Sequence, residues 1–102
     1  MAEQLKAADF NAHLHTTFRI YYEPDAAIEA ELIEVSERPP TPRQERFSIV
    51  FRGPRWPLLF QALYRIEHPA MGTHELFISP FEVEEEHAYY EAVFNYRLPM
   101  PR

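Results

Sequence analysis

Apolar and polar side chains alternate along most of this chain. The clearest run is Tyr89-Tyr90-Glu91-Ala92-Val93-Phe94-Asn95-Tyr96. Tyr90, Ala92, Phe94 and Tyr96 share one face, and Tyr89, Glu91, Val93 and Asn95 share the other. A period of two marks a strand with one dry face. Five earlier segments repeat it. Phe18, Ile20 and Tyr22 predict a first strand over about 15–23, closed by the turn signal Pro24-Asp25. Ile28, Ala30 and Leu32 start a second over about 27–37. Its phase then slips to Ile33 and Val35, which predicts a bulge or strong bend. The run Ile28–Leu32 also reads as helix. Phe47, Ile49 and Phe51 give a third strand over 47–52, broken at Gly53-Pro54-Arg55-Trp56-Pro57.

Phe60, Ala62, Tyr64 and Ile66 align in a fourth strand over about 60–68. Pro69-Ala70-Met71-Gly72 follows as a hairpin loop with Gly72 at positive φ. The fifth strand, about 75–83, contains Pro80, which requires an edge or a bulge. Residues 3–14 predict a short helix that covers a barrel end or a sheet edge. Prolines make 38–44 a stiff exposed loop, and 98–102 an exposed tail. Six short strands with hairpin-length loops predict one mainly-β domain over 1–102. The expected form is a small six-stranded antiparallel up-and-down barrel, with a two-layer sandwich as the alternative.

Composition narrows the function classes. The 102 residues suit one domain and can bury a core without staples. Eight Phe and six Tyr supply a ring-rich core, and Trp56 is the single tryptophan. The absence of cysteine excludes disulfides, thiolate nucleophiles and Cys-based metal sites. No signal peptide and no membrane span is visible, so a soluble cytoplasmic protein is expected. A net charge of -6 disfavours nucleic acid and anionic membranes.

Candidate chemistry is sparse. His13-x-His15, and His68 with His74 across the hairpin, are the nearest approach to a metal pair. Neither has a carboxylate at convincing spacing, and exposed loop histidines are the favoured reading. Glu82, Glu84, Glu85 and Glu86 lack the ladder of a calcium loop and read as a solvated turn. No nucleophile elbow surrounds Ser48 or Ser79. Neither an enzyme nor a cofactor is expected. Gln61, Arg65, Glu91 and Asn95 form a polar strand cluster of structural kind, in which Arg65 pairs with Glu91 if the fourth and sixth strands lie close. Arg38, Arg43, Arg46, Arg52 and Arg55 concentrate positive charge in the middle of an acidic chain. Trp56, between Pro54 and Pro57, is either a contact anchor or a plug for one barrel end. Trp56, Arg38, Arg43, Arg46, Phe81 and Tyr89 are the protein-contact candidates.

The order of several motifs adds context. Leu32-Ile33-Glu34-Val35, Phe47 to Pro54, Gln61-Ala62-Leu63-Tyr64, His68 to Gly72, Leu76 to Pro80 and Tyr90 to Asn95 occur in series. This series resembles a family of small bacterial β-domain proteins of unknown function. The resemblance covers nearly the whole chain and implies no catalytic residue. Such proteins are often encoded near phage-tail-collar or tail-fibre-like proteins, which implies an accessory or structural part of a tail-like assembly. The expectation is therefore a non-catalytic protein-binding or assembly module with a protein partner or as a homo-oligomer. A small-ligand-binding barrel is the alternative.

Overall fold

A computed structural model describes residues 5–39, 41 and 44–97. One helix, α1 (Ala7–Asn11), precedes six strands: β1 (Thr17–Glu23), β2 (Ala26–Glu37), β3 (Gln44–Pro54), β4 (Ala62–His68), β5 (Gly72–Val83) and β6 (His87–Arg97). They close into an antiparallel barrel in the order β1-β2-β3-β6-β5-β4. Closure, strand number and the short helix agree with the sequence. The path does not follow a simple up-and-down order. β3 leads into β4, which lies across the barrel, so the structure is two three-stranded meanders joined by a crossover over 55–61. The meanders meet along two seams. β3 and β6 pair over their full lengths, from Gln44↔Arg97 to Pro54↔His87, whereas β1 and β4 share only Arg19↔Glu67, Ile20↔Ile66 and Tyr21↔Arg65.

The alternation places the expected residues inside. Phe18, Ile20, Leu32, Ile49, Phe51, Ile78 and Tyr90 are inaccessible to solvent. Ring packing dominates: Phe18 meets Phe51 edge-on at 5.3 Å, and Phe47 stacks on Phe94 at 4.4 Å. The phase slip in β2 is a bulge between Leu32 and Glu34, and Pro80 stands beside another between Pro80 and Glu82. Ile28–Leu32 is strand throughout. Gly72 has φ +80°, as the tight hairpin requires. A further bulge, unmarked in the alternation, lies between Tyr21 and Glu23. It turns Tyr22, expected inside, towards solvent.

Each barrel end carries a lid. α1 is much shorter than the 3–14 expected, and the chain turns over Ala12–His15. Its Phe10, fully buried, contacts Phe18, Phe47 and Phe94 over the end where β1 begins. At its start the Lys6 backbone N–H donates to the Asp9 carboxylate at 2.8 Å. The crossover covers the other end with Leu59, 4% exposed, whose N–H donates to the Tyr90 hydroxyl at 3.0 Å. Phe60, expected in line with Ala62, is 80% exposed because β4 starts only at Ala62. The apolar positions 58–60 lie in irregular chain, where period-two phasing has no meaning.

Candidate functional site

The crossover that closes the second barrel end also builds the surface around it. Leu59 points inward, while Trp56 and Phe60 stand 72% and 80% exposed. Of the two readings for Trp56, the plug falls to Leu59. Beside Trp56 a groove of about 650 Å³ runs along the outer faces of β2 and β3, lined by Glu29, Glu31, Arg52, Trp56, Glu86 and His87 among others. These faces are outward because Ile28, Ala30, Phe51 and Gly53 take the inward positions between them.

Electrostatic contacts in the groove are unequal. Arg52 donates to Glu31 at 2.8 Å, and Glu31 also meets His15 Nδ1 at 3.2 Å. One carboxylate thus serves two cationic or potentially cationic groups. Arg19 approaches Glu29 only to 3.9 Å with both side chains exposed, a weak pair. Glu86 makes no ion pair among the described residues. On the far side of Arg52, across the β3–β6 ladder, lies Tyr89. Its hydroxyl donates to Glu84 at 2.7 Å, and that carboxylate pushes the phenol pKa up. Phe81 packs near the Tyr89 ring at 6.4 Å. Arg55 reaches the Glu84 carbonyl at 3.3 Å.

The structure therefore divides the contact candidates. Trp56, Phe81 and Tyr89 gather at one barrel end. Arg38 and Arg46 lie at the other, where the Arg38 N–H donates to the Arg46 carbonyl at 3.0 Å and both line a shallow pocket of about 230 Å³ with Lys6 and Glu37. Arg43 and the tail 98–102 lie outside the described residues.

The polar strand cluster does not assemble. β5 separates β4 from β6, so Arg65 and Glu91 are not partners. Arg65 instead sits 4.1 Å from the Tyr21 ring centroid and donates to the Pro24 carbonyl at 3.1 Å. Glu91 lies between Val50 and Ser79, Asn95 opposite Arg46, and Gln61 is exposed on the crossover.

The histidines pair differently from their sequence neighbourhoods. His68, read as an exposed loop residue, is 7% exposed and packs in tilted geometry against Phe18 at 4.4 Å and His13 at 4.6 Å. Its Nδ1 accepts the N–H groups of Ala70 and Met71 at 3.0 and 3.3 Å, which fixes the proton on Nε2, 3.0 Å from Thr16 Oγ1. Burial, and secondarily the charge of His13, holds its pKa below the ordinary value. His74 turns to the Met71 carbonyl and His15 to Glu31, each away from the histidine it was weighed against as a metal pair. Among the described residues no group of three or more His, Asp or Glu is arranged to hold a metal ion. No helix among them is long and apolar enough to cross a membrane.

Residues 5–94 match the model of a protein family described as a domain of unknown function (DUF6916). No curated protein and no solved structure matches the chain.

Proposed function

The chain belongs to the DUF6916 family, and we propose that it works as a non-catalytic protein-contact module, an accessory or assembly part of a larger tail-like complex. The observation that carries this reading is the crossover. It displays Trp56 and Phe60 to solvent while Leu59, between them, is locked into the barrel and hydrogen-bonded to Tyr90. Exposed large rings gain roughly 25 cal/mol for each Å² withdrawn from water on association. A loop already pinned from inside loses little further freedom when it docks. Tryptophan is among the residues most concentrated at the energetic centres of interfaces.

Three further features support the reading. Leu63 and Phe77, direct partners across β4 and β5, are both more than half exposed on the outer face. The barrel interior is packed with Phe10, Phe18, Phe51 and Tyr90, which favours a contact surface over a ligand chamber. The best-positioned imidazole, His68, has both nitrogens engaged and faces the core, so it is poorly placed as a general base. The tail-like setting rests on the gene neighbourhood of the proteins this sequence resembles.

A native mass spectrum of untagged protein, purified gently from its own cells, tests the proposal. The expected result is a complex with a second protein or with further copies. It should be lost from a Trp56→Ala/Phe60→Ala variant whose melting temperature is unchanged. A monomer carrying a small extra mass moves the function to ligand binding, and a bare monomer overturns the contact reading.

A further inference from the structure

The geometry points to a cationic segment, bearing Arg or Lys, of a foreign partner protein as the occupant of the groove beside Trp56. This inference rests on the contact reading above and specifies its chemistry. The groove is lined by three carboxylates, Glu29, Glu31 and Glu86, against one guanidinium, Arg52. Arg52 and Glu31 are already committed to each other at 2.8 Å, with His15 on the same carboxylate. Glu29 and Glu86 remain to act on a visitor, Glu29 being held only by the long, exposed contact with Arg19. Glu82, Glu84 and Glu85 stand just before Glu86 in the chain and deepen the negative field at this end of the barrel.

Trp56 supplies the second requirement. Its indole is 72% exposed at the groove. The face of an indole attracts a cation through its quadrupole, more strongly than Tyr or Phe does. A guanidinium also stacks flat on it while offering N–H donors sideways to carboxylates. An aromatic face with unneutralised carboxylates beside it selects a cation and repels phosphate or an acidic peptide. At about 650 Å³ the groove has room for several side chains, so a short segment suits it better than a lone ion.

Trp56, the single tryptophan of the chain, makes its own fluorescence a reporter of the groove. Purified full-length protein is titrated with a tetra-arginine peptide, with tetra-glutamate as control. The expected result is a saturable change in Trp56 emission with tetra-arginine alone, weakened by salt. Glu29→Gln/Glu86→Gln, at two exposed positions, should raise Kd about tenfold. No saturable change, an equal response to tetra-glutamate, or an unchanged Kd in the Gln variant overturns the inference. Salt-sensitive self-association abolished by the Gln variant would assign the groove to a second copy and overturn the foreign-partner assignment. The native mass spectrum separates the two proposals. A partner retained by Glu29→Gln/Glu86→Gln but lost from Trp56→Ala/Phe60→Ala sinks the cationic assignment and leaves the contact module standing. A partner retained by both variants sinks both.

Discussion

At the scale of single residues, His68 ties the chain's local geometry to solution conditions. Its neutral ring accepts two backbone N–H groups of the β4–β5 turn and packs between Phe18 and His13. Protonation of Nδ1 would turn that acceptor into a donor facing two donors. His13 on the α1 side and Thr16 ahead of β1 are the polar groups that face it, and His74 lies across the hairpin. The folded pKa is below the ordinary 6.5, so the unfolded chain takes up the proton first. The stability His68 contributes is complete above about pH 6.5 and is lost as pH falls through the lower folded value. Urea midpoints should therefore be flat above neutrality and decline below it. His68→Asn, whose Oδ1 can replace Nδ1 as acceptor, should flatten the part of that decline due to this residue. His68→Ala should cost about 1–3 kcal/mol by stranding the turn N–H groups. The partner of this side chain could not be read from the sequence, because the ring beside it, His13, is 55 positions away along the chain. Gly53 shows a related limit. It reads as a strand breaker, yet β3 runs through it, and a Cβ there would come within 3.3 Å of Ile28 Cδ1 and 3.6 Å of Tyr90 Cε1.

At the scale of elements, the two lids differ in kind. α1 inserts a phenyl ring among other rings, whereas the crossover inserts Leu59 and fixes its backbone to Tyr90. Leu59→Ala should cost about 2–5 kcal/mol, read as a lower thermal midpoint. It should also weaken partner binding beyond the effect of stability, since Trp56 and Phe60 lose the anchor between them. The strands themselves were legible because each buries one face, and a single-residue slip would expose a whole hydrophobic set. Legibility failed where period two ends. The bulge at Tyr22 and the irregular run Leu58-Leu59-Phe60 leave three adjacent apolar residues with no rule for which one turns inward.

At the scale of the whole molecule, closure was legible from strand count and loop length, but neighbour order was not. Any strand with a dry face satisfies any antiparallel neighbour, so nothing in the local pattern says that β3 prefers β6 to β4. That choice separates Arg65 from Glu91 and brings Arg52 beside Tyr89. Arg38 and Arg46, beside the start of β3, and Trp56, just past its end, lie at opposite ends of the barrel whatever the neighbour order. The same order has a consequence for how the polypeptide can be divided. Only the stretch 55–61 connects one meander to the other, and every remaining link between them is non-covalent. Cleavage within it should leave two polypeptides that reassociate when mixed, recovering the circular-dichroism spectrum of the intact protein, with the full-length β3–β6 seam as the adhesive. The same stretch, if opened rather than cut, lets two molecules trade halves and become an intertwined pair with each barrel closed by the other's strands.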